Sequence, residues 1–257
     1  MGLPRTYKTR GFVLRQTSLG EADRILTLFT RDLGKIQAVA KGIRRTKSKL
    51  SGHLEPFALA SLSLSRGRQL DTIFDADTVN SFRVLREDLK RLSKAVYLIE
   101  LVDKFTSEHQ PSPEIYSLLL DSLILLEHSN DSDRPIIYFE VQILSRSGFG
   151  PELYRCVECS IALKPGKYTH SHTHGGLICN NCTTKPMGLT FALSVNCIKV
   201  LRFLANASVD SISSLKIPSQ VESEATRLLR TYIRYILDRE LKSVDFMALV
   251  ASDQSRH

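Results

Sequence analysis

The 257-residue sequence contains no tryptophan, no apolar run approaching the ~20 residues needed to span a bilayer, and no glycine-rich loop of the kind that cradles phosphates. The second absence gives the expectation of no membrane partner. The third removes support for nucleotide hydrolysis, and no nucleophile stands beside a recognisable base, so the chain is not expected to be an enzyme. The N-terminus Met1-Gly-Leu-Pro-Arg-Thr-Tyr-Lys-Thr-Arg10 has no apolar core resembling a signal peptide, which gives the expectation of a cytoplasmic protein with reduced thiols. A loose myristoylation pattern in its first six residues is short enough to arise by chance. Neither an internal repeat nor a low-complexity tract interrupts a composition that is otherwise ordinary for a globular protein, 42% hydrophobic and 24% charged.

Acidic residues are scarce in one place only. Residues 1 to 70 hold fourteen Lys and Arg against four acids (Glu21, Asp23, Asp32, Glu55), a net of +10, while the rest of the chain holds twenty-one against twenty-three. A solubility device would be spread over the surface, whereas a concentrated positive field attracts a polyanion such as nucleic acid. No acid at all lies between Leu33 and Leu54, a stretch that carries Lys35, Lys41, Arg44, Arg45, Lys47 and Lys49. These six are the expected phosphate-contacting residues. Were the run only a solvated loop, the binding surface would fall to Lys8, Arg10, Arg15, Arg66 and Arg68.

The same segment reads as β-structure. Gly11–Leu14, Arg24–Thr30, Lys35–Ala40, Ala58–Leu64 and Gln69–Phe74 are short branched or aromatic runs broken by turn residues. Ala58, Ala60, Leu62 and Leu64 alternate with Leu59, Ser61 and Ser63, the pattern of a half-buried barrel wall. Five such strands in about 75 residues predict a small closed barrel, with the OB-fold as its natural form. After residue 78 the period changes to 3.6. Leu85, Leu89, Leu92, Val96, Ile99, Val102 and Phe105 predict one long or two abutting helices over 81–109. Ser112-Pro113 and Asp133-Arg-Pro135 read as further helix starts, Ser194–Ala205 as a helix, and Ser219-Gln-Val-Glu222 as a capping box opening a helix to about Asp238. The residues from Ala251 to His257 are expected to fray.

Between these helices stands Cys156-Val-Glu-Cys159, followed after nineteen residues by Cys179-Asn-Asn-Cys182. Two such pairs can converge on one tetrahedral point, and four thiolates close the shell against substrate, so one structural Zn2+ is expected in a ribbon spanning about 153–186. Disulfides would need an oxidising compartment. His170, His172 and His174 are expected as solvated loop residues, with a second ion as the alternative, and Cys197 as a buried hydrophobe. The fold class that results is α+β: a five-stranded OB-fold barrel over 1–78, then a helical domain over 79–257 with an inserted zinc ribbon.

At Gly11-Phe-Val-Leu-Arg15, Gly20-Glu-Ala-Asp-Arg-Ile-Leu-Thr-Leu-Phe-Thr30, Gly34-Lys35, Ala40-Lys-Gly42, Leu54-Glu-Pro-Phe57, Phe139-Glu140, Leu144 and Gly148, the sequence resembles the RecO family of bacterial recombination mediators. The resemblance implies binding and annealing of single-stranded DNA, double-stranded DNA as a further ligand, and help in loading the recombinase RecA together with RecR. It also implies that the helical domain receives the C-terminal tail of the single-strand-binding protein, for which Lys199, Arg202, Arg227 and Arg230 beside apolar faces are suitable. Two other readings compete. A zinc-ribbon subunit of the transcription or translation machinery shares the metal and the charge. A nucleobase deaminase matches through His53-Leu-Glu55 but lacks the Pro before the paired cysteines and the open zinc position.

Overall fold

Apolar side chains two residues apart turn the N-terminal segment into a barrel. The structure, a computed structural model, describes residues 4–129, 133–183 and 188–254. Residues 1–3 of the leader, 184–186 of the expected ribbon and 255–257 of the expected frayed end lie outside the described residues. Strands β1 (Thr6–Leu19), β2 (Asp23–Thr30), β3 (Gly34–Ala40), β4 (Leu59–Ser65) and β5 (Asp71–Asn80) close in the order β1-β2-β3-β5-β4. Every pair is antiparallel except β3 with β5, which run parallel from Ala38↔Asp71 to Ala40↔Ile73. Strand β1 serves two neighbours: its first half pairs with β4, its second with β2, and a register shift between Val13 and Arg15 bends it between them. Val13, Leu26, Leu28, Ile36, Ala38, Ala60, Leu62, Leu64 and Ile73 form the buried core of the barrel. The period-two alternation read in β4 thus selects the inward face.

Helices α1 (Arg83–Glu87) and α2 (Leu89–Phe105) are the abutting pair foreseen after residue 81. Asp88 separates them, its side chain accepting the Arg91 N–H at 3.1 Å as an N-cap. Helix α3 (Pro113–His128) starts at the Ser112-Pro113 signal and sets Tyr116 against Phe12 of β1 and Phe29 of β2, ring centroids 5.2 and 6.1 Å apart. Such aromatic pairs contribute about 0.5–1.5 kcal/mol each beyond their buried area.

The chain divides into two compact units, residues 1–127 with 246–257 and residues 128–245. The second contains α4 (Arg134–Arg146), the ribbon strands β6 (Tyr168–Ser171), β7 (Gly176–Ile178) and β8 (Thr190–Leu193), and the helices α5 (Val195–Asn206), α6 (Val209–Ser214) and α7 (Ser219–Leu237). Helix α8 (Lys242–Gln254) runs across the division. Ser194 caps α5 as its position suggests, accepting from the Cys197 N–H at 3.2 Å. The capping box at Ser219 does not form. Ser219 is already helical, and the extended Pro218 before it turns its carbonyl to the N–H groups of Val221 and Glu222 at 2.9 and 3.0 Å. Strand β8 and helices α6 and α8 were not foreseen, and α8 stays helical through Gln254 where fraying from Ala251 was expected.

The turn joining β2 to β3 rests on Gly34, whose φ is +68° and where an added Cβ would stand 2.2 Å from the Gln110 carbonyl oxygen. Gly20 has a similar φ of +61° but open space around it. Gly20→Ala is therefore expected to cost only the left-handed strain, about 1–2 kcal/mol, and Gly34→Ala about 3 kcal/mol or more. Equal losses in denaturant unfolding would refute the collision at Gly34.

Candidate metal centre and nucleic-acid interface

The four cysteines arrive from two tight turns. In the first, Cys156 N–H donates to Ile161 O at 2.9 Å, Ser160 N–H donates back to Cys156 O at 2.8 Å, and Ser160 takes a left-handed φ of 59°. In the second, Cys182 N–H donates to Cys179 O at 3.0 Å. The Cys179 N–H points at Cys156 Sγ, 3.3 Å away, which joins the turns. All four sulfurs lie within 4.8 Å of one another, with Cys159 and Cys179 Sγ 3.7 Å apart. Four thiolates bound to one tetrahedral metal at about 2.3 Å have their sulfurs about 3.8 Å apart, so the donor set fits a zinc ribbon.

Crowding separates the thiols electrically. Burial raises Cys156, but backbone N–H groups of Cys179, Cys159 and Glu158 outweigh it and bring its pKa down to about 6. Cys182 is pushed up to about 12, first by its hydrogen bond to Cys179 and then by burial. One sulfur readily becomes a thiolate and its neighbours then resist ionisation, a conflict that a bound cation removes. Cys197 is buried away from this cluster on α5, and burial pushes its thiol up to about 12.

The ribbon histidines require a correction. His174 is exposed, its Nε2 3.3 Å from Glu158 Oε1, but His170 and His172 are buried at 0% and 2% exposure. Their two-residue spacing on and just beyond β6 places both on one face, against Tyr232 of α7 at ring centroids of 4.9 and 5.5 Å. Their Nδ1 atoms are 3.2 Å apart and His172 Nε2 is 2.9 Å from Thr231 Oγ1. Thr231 donates to its own helix at Arg227 O and Leu228 O, so it accepts from His172 Nε2–H. His172 Nδ1 is then bare and accepts from His170 Nδ1–H. Both rings are neutral: burial, then His172, holds His170 at about 3, and burial, then Arg234, lowers His172.

The basic run lies between β3 and β4 as an arm tied down at both ends. Gly42 N–H donates to Asp23 Oδ1 at 2.7 Å and Arg44 N–H to Ala22 O at 3.0 Å. Ile43 and Leu54 sink into the barrel core, and Phe57 N–H returns to Val13 O at 2.8 Å. Between these anchors Lys41, Arg44, Arg45, Lys47 and Lys49 are all exposed, and none is ion-paired among the described residues. Lys35 stands apart from them. It is 9% exposed, and its Nζ donates to Asp103 O at 2.5 Å and lies 3.3 Å from Asp103 Oδ1, fastening β3 to α2. An ammonium buried this way is withheld from solvent.

The remaining candidates have structural partners. His53 Nδ1 meets Thr78 Oγ1 at 2.9 Å, and Glu55 faces Arg86 at 3.4 Å, whose guanidinium lies 4.1 Å over Phe57. The half-signature of a deaminase is thus divided between two separate contacts. On the helical unit Arg202 donates to Leu153 O and lies over Tyr154, and Arg227 lies over Phe191 at 4.4 Å. Sequence reasoning did not find Arg31 and Tyr116, which flank a groove beside β1. No helix of the described residues is long and apolar enough to cross a membrane.

Comparisons with known proteins agree along the chain. The family described as Recombination protein O N terminal matches residues 3–82, and Recombination protein O C terminal matches residues 86–245. Among similar curated proteins, a DNA repair protein RecO of Dehalococcoides mccartyi is 40% identical over 244 residues, covering 95% of this chain and 96% of the relative. That of Syntrophus aciditrophicus is 35% identical over 95% and 96%, and that of Desulforamulus reducens 33% over 95% and 94%.

The neutral histidines have a measurable consequence. His170 binds its proton only near pH 3 when folded and near the ordinary 6.5 when unfolded, so the unfolded chain takes up the extra proton between those values. Stability is full above pH 6.5 and falls on acidification, by about 2 kcal/mol at pH 5 from His170 alone. His170→Gln is expected to unfold with a shallower acid dependence than the parent. Parallel pH profiles would sink the assignment.

Proposed function

The chain belongs to the RecO family of DNA repair and recombination proteins, and from that premise we propose that it is a non-enzymatic mediator that binds and anneals single-stranded DNA. The observation that carries the reading is the arm: five exposed cations, without an ion pair among the described residues, held between two anchors on an OB-like barrel. Unpaired Lys and Arg exchange condensed counterions for phosphates, so the arm holds a strand by its backbone irrespective of sequence. Double-stranded DNA presents the same phosphates and is bound by the same charges. Help in loading RecA together with RecR follows from the family rather than from any residue named above.

One Zn2+ in the Cys156, Cys159, Cys179 and Cys182 site has a structural part in this proposal, supplying folding free energy to the ribbon. On the helical unit, Lys199 and Arg227 are exposed and Arg202 is half-buried, with Arg202 over the exposed Tyr154 and Arg227 over Phe191. Cations beside apolar rings suit the tail of the single-strand-binding protein, an acidic peptide with apolar side chains. The family match displaces the reading as a ribbon subunit of transcription or translation machinery, and capture of RecR in preference to ribosomal or polymerase subunits tests the partner.

Two measurements test the core of the proposal. Affinity for single-stranded DNA is expected to fall with salt at about 0.7 in log–log slope per phosphate neutralised, and R44A/R45A/K47A to reduce that slope by about 2 while weakening binding similarly across sequences. Because these side chains are exposed, stability is expected to change by less than about 0.5 kcal/mol. An unchanged slope and affinity would return the arm to a solvated loop. Cys179→Ser is expected to lower bound zinc and melting temperature together, and protein purified without chelator to hold about one equivalent of metal. A content below half an equivalent would count against the site.

A further inference from the structure

A second cationic surface lies on the same barrel. Of the fourteen cations in residues 1–70, five stand on the arm, while Lys8, Arg10 and Arg31 line a groove of about 660 Å³ between the outer face of β1, the β2–β3 turn and α3. Lys8 and Arg10 are two residues apart and so share one face of the strand. Across from them on β4 stand Ser63 and Ser61, which are neutral. Among the described residues none of the three cations has an ion pair, even though Asp32 lies in the same groove. Elsewhere acids in reach are taken, as by Arg83 with Glu87 and Arg86 with Glu55. Three cations against one carboxylate leave the groove positive.

We propose that this groove holds the sugar–phosphate backbone of a second nucleic-acid strand. The proposal rests on the annealing function inferred above and adds where the partner strand is held. The Tyr116 hydroxyl stands in the groove wall: burial pushes it up, Arg10 and Arg31 pull it back, and Asp32 opposes them. Its ring, however, is covered by Phe12 and Phe29, so the groove offers no aromatic face on which a base could stack. A surface that grips phosphates and leaves bases unstacked suits annealing, which needs base edges free to find their complement. The arm's cations lie where the chain leaves the β2–β3 hairpin after Ala40, with Gly42 and Arg44 bonded to Asp23 and Ala22, whereas Arg31 of the groove stands at the hairpin's turn, about 20 Å along β3. The arm's far end leads into Leu59 of the groove wall. One chain therefore presents two separated grips.

Counting strands tests this. In low salt with saturating labelled hexathymidylate, sedimentation of the full chain is expected to give two strands per chain, one for K8A/R10A/R31A and one for R44A/R45A/K47A. The groove variant is also expected to anneal complementary strands about tenfold more slowly. All three groove cations are exposed, so matching melting curves verify the fold. One strand on the parent chain, or two on the groove variant, overturns the proposal while leaving the arm intact. If the arm variant keeps both strands and the groove variant loses one, the arm reading fails and the groove stands. If the groove variant keeps both strands but loses binding of a hexaglutamate probe, the groove faces a protein and the proposal is overturned.

Discussion

Barrel closure is the constraint from which the N-terminal unit follows. Because β3 pairs parallel with β5 and β4 is sandwiched between β5 and β1, the chain leaving Ala40 cannot turn directly into its next strand. A parallel neighbour cannot be joined by a tight hairpin, and the strand between must be supplied from elsewhere. The connection has to be long, and a long connection must lie on the surface where its backbone meets water. Residues 41–58 are that connection. Its two apolar anchors, Ile43 and Leu54, share the barrel core, so its cations are displayed from a fixed base instead of a loose tether.

Local pattern made the elements legible; distance in sequence hid their partners. The strands of the barrel, the abutting helices after residue 81 and the paired cysteines all announce themselves within a few residues. Lys35 sits in the same acid-free stretch as the arm, and only the fold brings it to Asp103, sixty-eight positions away. The histidines are a different kind of case. His170 and His172 read as solvated loop residues because nothing nearby in sequence says that they share a strand face or that Tyr232 and Thr231 cover it. Ser219 shows the converse, a local cap signature overridden by a proline one position earlier.

Charge in this protein falls into two groups that matter differently, cations held against the fold and cations left open to solvent. Cations that support the fold, such as Lys35 on Asp103 and Arg86 over Phe57 beside Glu55, are buried or half-buried and occupied. Those of the arm and the β1 groove are exposed and, among the described residues, make no ion pair, at a cost in self-repulsion that the barrel's core tolerates. The distinction separates residues whose loss is felt in stability from residues whose loss is felt in binding.

The buried histidine pair has a directional order that reaches beyond its two hydrogen bonds. Thr231 already donates to its own helix, so it imposes a proton on His172 Nε2, and His172 in turn imposes one on His170 Nδ1. Of the four neutral tautomer combinations, this one alone avoids two protons or two lone pairs facing each other. Docking of the ribbon onto α7 thus selects a proton arrangement as well as a shape. An α7 in which residue 231 could only donate would reverse that order, with His172 Nδ1–H donating to His170 Nδ1, without altering a single van der Waals contact.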